Sequence, residues 1–480
     1  MLVRFDGPVT AVYDALFGVG SHDPDRPCLL LDDGSVVSYG DLGNRAARFA
    51  GGLERAGADV GDRVLVQVPK CVDFVALYLA CLRRGIVFVP LNTAYTDAEV
   101  AYFVDDAHPA LVVRDADALA GFADADPLTE VLDRQGDDWA AMLYTSGTTG
   151  RSKGAMLSCR NLVSNARALH DAWQFRPDDV LLHVLPVFHV HGLFVALHCA
   201  WLAGATVRFH ARFDPERALA DLRRSTVLMG VPTHYHRLLD RTSIDRADVE
   251  GIRLFTSGSA PLLASRHDEF AERTGHRIVE RYGMTETMIL TSNPVDGEQV
   301  AGTVGFPLAG VDLRVAPGES GDEPGEEPGT VEVRGDGVFL GYWGLEERTA
   351  ESFRDDGWFV TGDVGSLDTD GRLTLAGRGS DLIIAGGFNV YPREIEQVLD
   401  AVTGVEESAV VGVPDADLGE RVVAVVVPAA GAGLDEGELV DACQALAPFK
   451  RPRAFVLRDE LPRNAMGKVQ KTVLRADLGG

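Results

Sequence analysis

From about residue 60 the chain alternates short unbroken apolar runs with longer stretches whose apolar residues recur every three or four positions. DRVLVQVP is followed by DFVALYLACLRRG, then by IVFVPLN, and later by PALVVRD. The runs are short, rich in Val and Ile and bounded by Gly, Pro, Asp or Asn, as buried strands are, while the intervening stretches have a helical period. Strands that alternate with helices build parallel βαβ units with helices covering the sheet. The alternation returns with LVSNARALHDAWQF, VLLHVLP and TVLMGVP. No fixed-period repeat is present, so the pattern predicts layered α/β subdomains and not a solenoid.

The segment APGESGDEPGEEPGT, 316–330, combines Pro, Gly and acid and cannot bury apolar area, so it reads as an exposed loop between the strands VDLRV and VEVRG. A domain boundary is expected farther on. Beyond Gly379 to Asp381 the runs REIEQVLDAV, SAVVGVP, RVVAVVVP, GELVDACQALA and RAFVLRD mix helices and strands over about 100 residues, enough for a separate α+β module. The expected organisation is α/β, with a large N-terminal domain over 1–378, a hinge at 379–381 and a C-terminal domain over 382–480.

Composition narrows the function without changing this layout. With 480 residues, 46% hydrophobic and 24% charged, the chain is folded and exceeds one core. Its formal charge of −27 excludes a broad nucleic-acid-binding surface, which has to be basic, and reads as a solubilising acidic exterior. Anionic substrates must meet local basic residues. The six cysteines are scattered, without zinc or disulfide spacing, and read as reduced thiols. There is no signal-peptide pattern, and the apolar stretch 195–207 is too short to cross a bilayer, so no membrane insertion and a cytoplasmic location are expected.

The chemistry begins at YTSGTTGRSKG, 144–154, which follows the strand-like AAML. Glycines there let backbone N–H groups approach a polyphosphate, and Ser146, Thr148 and Thr149 add hydroxyl donors. The order is not that of a P-loop, because Lys153 is followed by Gly154 and is not correctly spaced from Gly147.

This loop resembles the phosphate-binding signature of the adenylate-forming enzymes, which include acyl-CoA synthetases, amino-acid adenylation domains and luciferases. The resemblance continues in order through LPVFHVHG, SGSAPL, ERYGMTET, TGDVG, GRGSDLIIAGGFNVYPREIE and PRNAMGKVQK, and so covers nearly the whole chain. It implies a large domain followed by a small mobile one, with ATP and Mg2+ used to make an acyl-adenylate and coenzyme A as cosubstrate. The implied ATP contacts are Thr145, Ser146, Gly147, Thr148, Thr149, Gly150 and Lys153 in the loop, Ser257, Gly258 and Ser259, and Glu280, Tyr282, Gly283, Met284 and Thr285. Asp363 resembles the acid that binds the ribose hydroxyls, and Arg378 its cationic companion. Glu286, with Thr148, is implied as a magnesium ligand, a role that suits an oxygen donor; a glutamate at this place can equally cap a helix.

Lys468 resembles the catalytic lysine of adenylation, where a positioned ammonium stabilises the charge gathering on the α-phosphate. Some relatives are acetylated at the corresponding P-x-x-x-x-G-K pattern, which implies a lysine acetyltransferase as a partner acting on Lys468. The resemblance also implies that the small domain rotates for the thioester step, with Gly386, Gly387 and Phe388 lining the pantetheine tunnel; a tight turn before the helix at PREIE is compatible with that. At the hinge, where an aspartate or lysine is usual, Ser380 stands.

For the acid, LPVFHVHGL, GVPTHYHRLL and ERYGMTETMILTSNP resemble malonyl-CoA synthetases more than fatty-acid or acetate enzymes. Arg281 occupies the acyl-pocket position, where a guanidinium matches a second carboxylate, so the implied substrates are malonate and methylmalonate. A local ion pair, for example with Glu280, is the competing role. His189 stands where the family places a gate near the reacting carboxylate, or else is a structural histidine; His191 reads as structural. Met288, Ile289 and Leu290 are placed to set pocket depth. Another short or medium acid, an amino-acid adenylation enzyme and an inactive binding protein of the same fold are the alternative functions. FHVHG offers no acid for an α-amino group, and retention of Lys153, Glu286, Asp363, Arg378 and Lys468 argues against inactivity.

Overall fold

The computed structural model describes residues 11–18, 20–145, 152–316, 328–386, 388–415, 418–429, 431–464 and 468–479. The alternation read from the sequence is realised as parallel strands. Arg63–Val66 pairs in parallel with both Val87–Pro90 and Leu111–Val113, and Val227–Gly230 pairs in parallel with Val180–His183 and Leu254–Ser257. These strands belong to two large sheets. One has six strands, among them Trp139–Thr145 and Lys153–Ser158; the other has nine, among them Val279–Met284 and Met288–Ser292.

The helix Val72–Arg84 shows why the sheets stack. Its residues from Phe74 to Cys81 are all essentially without solvent exposure, so it is apolar on every side, as a helix enclosed between layers must be. Its large side chains, Phe74, Leu77, Tyr78 and Leu79, each contribute about 1.5–3 kcal/mol by leaving water. The helix stops at Gly85, whose φ of 64° closes a left-handed cap with its N–H directed at the carbonyls of Cys81 and Leu82.

A four-stranded antiparallel sheet follows, in which Val311–Ala316 pairs with Gly329–Gly335 and Phe359–Leu367 with Leu373–Arg378. Of the acidic Pro/Gly loop expected over 316–330, residues 317–327 lie outside the described residues, while Ala316 ends the first of these strands and Gly329 and Thr330 begin the second. The smaller C-terminal domain has its own core, built where the antiparallel strands Val405–Asp415 and Gly419–Pro428 pack against the helix Pro392–Asp400 through Ile395, Leu399, Val410 and Val422. Pro392 occupies the first turn of that helix, as PREIE suggests. The short helical turn Gly379–Asp381 lies between the strands Leu373–Arg378 and Ile383–Ala385. Among the described residues no helix is long and apolar enough to cross a membrane.

The hairpin formed by Val279–Met284 and Met288–Ser292 departs from the expected reading at two places. Glu286 sits at its turn, between strands and not at a helix start, so it caps no helix. Met288, expected to line the acyl pocket, is wholly buried in the main core. The hairpin is bulged at Tyr282 and Gly283, and the strands approach so closely that a Cβ on Gly283 would lie 2.0 Å from the Met288 carbonyl oxygen. Gly283→Ala is therefore expected to destabilise the protein by roughly 1–3 kcal/mol through overpacking against backbone, read as a lower thermal midpoint. An unchanged midpoint would show that the hairpin yields freely.

Candidate active site

The cleft between the domains has a volume of about 290 Å³ and is lined by Ser257, Glu280, Arg281, Tyr282, Asp363, Arg378 and Lys468 among others. Strand register assembles its charged centre. Asp363 and Arg378 are direct cross-strand partners, and their side chains form an ion pair with Arg378 Nε 2.8 Å from Asp363 Oδ1. The Tyr282 hydroxyl donates to the other carboxylate oxygen, and the Asp363 backbone N–H donates to Thr361 Oγ1 at 3.0 Å. Burial and the Asp363 charge push the Tyr282 phenol far above its usual range, so it remains a donor at neutral pH.

Lys468 projects into this centre from the small domain. Its backbone N–H donates to Asn464 Oδ1 at 3.0 Å, and its carbonyl accepts the Asn464 N–H at 2.9 Å, so two bonds to Asn464 hold its backbone. The pKa of its ammonium is lowered, first by burial in the cleft and then by the Arg378 charge, while Asp363 and Asp381 oppose the shift. The cation thus faces an acidic and a basic neighbour in one space, an arrangement suited to the oxygens of a nucleotide phosphate.

Phosphate-side residues come from the six-stranded sheet. Thr145 and Lys153 are cross-strand partners, so the loop between them joins two antiparallel strands and is not the strand-to-helix turn of a P-loop. Ser146, Gly147, Thr148, Thr149 and Gly150 lie outside the described residues. The Lys153 ammonium lies 4.1 Å from the centroid of the Tyr342 ring, and the Tyr342 hydroxyl donates to Glu286 Oε1 at 2.9 Å. Burial and then the Arg348 charge lower the Lys153 pKa, with Glu286 opposing them. Met284 and Thr285 are half-buried at the start of the same hairpin turn and do not line the cleft. Among the described residues no group of three His, Cys, Asp or Glu side chains could hold a metal ion alone. A cation at Glu286 would need oxygens of a bound phosphate, which is how magnesium is commonly held.

Another part of the cleft is organised by Arg281. It is 4% exposed, and its Nε and Nη2 have no hydrogen-bond partner. No carboxylate of the described residues forms an ion pair with it. Glu280 does not, because successive residues of a strand face opposite ways and its carboxylate accepts the Gly302 N–H at 3.0 Å. Burial raises Glu280 to about 7 and pulls Arg281 down to about 10, so the guanidinium stays charged. It rests against Gly258, where a Cβ would lie 2.5 Å from the guanidinium carbon. Nearby, Ser257 Oγ, His236 Nε2, His189 Nε2 and both ring nitrogens of His191 are also buried and unpartnered. Burial holds His189 near 3 and His236 near 4, and His191 is held low by burial and then by the Arg281 charge. Ser257 and Ser259 line the cleft, with Ser259 in the left-handed region at φ 70°. His189 and Met288 do not.

Gly386 and Phe388 are absent from this cleft. They border a separate cavity of about 300 Å³ on the small domain with Leu418, Phe449, Arg451 and Arg453. There the Phe388 and Phe449 rings stack with centroids 4.6 Å apart, and Phe388 is 55% exposed. Gly386, at φ 60°, donates its N–H to the Leu418 carbonyl at 2.8 Å. Gly387 lies outside the described residues. Motif reading missed Tyr342 and His236; Tyr342 reaches Lys153 and Glu286 only because Gly341–Tyr342 adds a strand beside Lys153–Ser158.

Comparison with known proteins agrees with this geometry. Residues 18–343 match the AMP-binding enzyme family and residues 394–468 the AMP-binding enzyme C-terminal domain. The fold superposes on ATP-bound MatB of Rhodopseudomonas palustris with a TM-score of 0.94 at 47% identity, covering 98% of this chain and 99% of that one. A malonate–CoA ligase of Arabidopsis thaliana is 34% identical, over 98% of this chain and 89% of the relative. A feruloyl-CoA synthase of Amycolatopsis is 36% identical, over 93% and 95%. The chain belongs to the AMP-binding enzyme family and is an ATP-dependent acyl-CoA ligase that works through an acyl-adenylate.

Proposed function

We propose that the protein makes malonyl-CoA from malonate, ATP and coenzyme A, with methylmalonate as a second substrate. The observation that carries this reading is Arg281, a buried guanidinium without an acidic partner among the described residues. An uncompensated buried charge costs several kcal/mol, and the distal carboxylate of a diacid would supply the missing anion in a bidentate fit. The unpartnered Ser257, His236, His189 and His191 add neutral hydrogen-bonding groups around it, and the likeness to a malonate–CoA ligase points the same way.

In the first half-reaction a carboxylate oxygen of the acid attacks the α-phosphorus of ATP, and the bond to pyrophosphate breaks. Asp363 accepts the ribose hydroxyls, Arg378 and Lys153 meet phosphate oxygens, and Lys468 stabilises the charge on the α-phosphate without a proton changing hands. Ser257, Gly258 and Ser259, with Tyr282, border the base and sugar. Mg2+ would be held by Glu286, with Thr148 and phosphate oxygens, and would neutralise polyphosphate charge. His189, half-buried and kept neutral by burial of its ring, lies outside the lining of the cleft, and in this proposal it reaches the reacting carboxylate only once the acid is bound.

In the second half-reaction the CoA sulfur attacks the acyl carbonyl and AMP leaves. We place the boundary for the accompanying rotation at 379–381, between an N-terminal domain of 1–378 and a C-terminal domain of 382–480. The stacked Phe388 and Phe449 beside Arg451 and Arg453 form a face suited to an aromatic base with phosphates, and Gly386 and Gly387 allow the thiol arm to pass. The compartment proposed is the cytoplasm, supported by cysteines that are all free.

An ATP-to-AMP assay with CoA over malonate, methylmalonate, succinate, acetate, octanoate and benzoate is expected to rank malonate first and methylmalonate next. A preference for octanoate or benzoate would overturn the reading. Arg281→Ala should cost about 2–5 kcal/mol in binding of the diacid, a rise in malonate KM of at least about thirtyfold, and leave acetate turnover near its wild-type level. Equal loss on mono- and diacids would remove the role from Arg281. Lys468→Ala should abolish adenylate formation while thioester formation from preformed malonyl-AMP persists; protein acetylated at Lys468 should behave likewise, since acetylation removes the same charge. Equal damage to both half-reactions would mean that Lys468 is structural.

A further inference from the structure

Lys70 belongs to none of the motifs above. It follows the strand Arg63–Val66 of the six-stranded sheet, yet its side chain ends on the nine-stranded one. Its Nζ lies 2.6 Å from His183 Nδ1, 2.9 Å from the His183 carbonyl oxygen and 3.0 Å from the Leu185 carbonyl oxygen. Three acceptors match the three N–H donors of an ammonium. The Phe209 ring covers it, with its centroid 4.4 Å away. No carboxylate of the described residues forms an ion pair with Lys70, and burial lowers its pKa well below the ordinary lysine range.

The Gly192 contact decides the tautomer of His183: a backbone carbonyl can only accept, so the ring proton sits on Nε2, and Nδ1 accepts from Lys70. Nε2 is 2.8 Å from the Gly192 carbonyl oxygen and therefore donates to it. His183 is 1% exposed and ends the strand Val180–His183. The segment running from it to Gly192 is thus fixed at both ends through one contact chain: Lys70 holds 183 and 185, and His183 holds 192. That segment carries His189 and His191. Its last two residues open the π-helical turn His191–Leu197, a backbone form that needs tertiary support.

We infer that Lys70 is a positioning residue for the acid-binding end of the cleft, a brace between the two large sheets that holds the His189 and His191 segment against Arg281. The ATP loop springs from the six-stranded sheet, while Arg281 and Ser257 come from the nine-stranded one, so the brace also sets the acid in register with the phosphates. This rests on reading Arg281 and its neighbours as the acid site. Loss of the brace frees the histidine segment and leaves Asp363, Arg378 and Tyr282 in place, so the acid is affected and ATP is spared.

Steady-state kinetics of Lys70→Met, which keeps the apolar stem and donates nothing, provide the test. The malonate KM is expected to rise about tenfold or more, with the ATP KM within about threefold of wild type. An unchanged malonate KM, or malonate and ATP KM values rising together, would overturn the inference. Should Lys70→Met show no cooperative melt, Lys70→Gln, which retains two donors, is measured by the same criteria, with an expected rise in malonate KM of about threefold to tenfold. If the wild-type protein prefers a monocarboxylic acid, the diacid reading fails by itself, and the role of Lys70 is read from the KM of that acid.

Discussion

Burial strips water from the Arg281 guanidinium, and no carboxylate of the described residues replaces it. A folded chain ordinarily avoids that arrangement, since an unpaired interior charge costs several kcal/mol. Much of the surrounding structure makes it tolerable. Gly258 gives the guanidinium a flat surface, neutral imidazoles add no competing charge, and the tight hairpin that carries Arg281 cannot slip because Gly283 lies against the Met288 backbone. Under the proposed function the stability forgone at this point is recovered when the distal carboxylate binds, and a site of that kind discriminates strongly by charge.

The nucleotide end follows a different logic. Asp363 and Arg378 neutralise each other across adjacent strands, so that end is preorganised before any ligand arrives. Lys468 comes from the other domain and depends on the domains being closed in this arrangement. Gly386 and Phe388 of the small domain meanwhile border a separate cavity with Phe449, Arg451 and Arg453. One small domain therefore presents a lysine on one face and an aromatic, basic surface on another, as two successive half-reactions in one cleft require.

A chain with 72 acidic and 45 basic residues also has to bring polyanions to a catalytic centre. It does so by concentrating Lys153, Arg281, Arg378 and Lys468 around the interdomain cleft and the neighbouring hairpin turn, where low polarity strengthens each charge. The overall acidity is a property of the exterior and says little about the site.

The alternation of apolar runs was enough for the parallel sheets and the separate α+β module, because strand and helix periods are local and each βαβ unit is contiguous in the chain. The ordered motifs singled out Asp363, Arg378 and Lys468 one stretch at a time, and the fold brings the three to one cleft. The sequence could not place Met288 in the core or Glu286 at a hairpin turn, because a bulge shifts which face a side chain takes and is not written in local periodicity. Nor could it choose between an ion pair and a free guanidinium for Arg281. That depended on Glu280 finding the Gly302 N–H, a contact set by strand packing. Lys70 and Tyr342 were invisible for the same reason: each acquires its role from a partner in another strand or sheet, and only the packed structure brings them together.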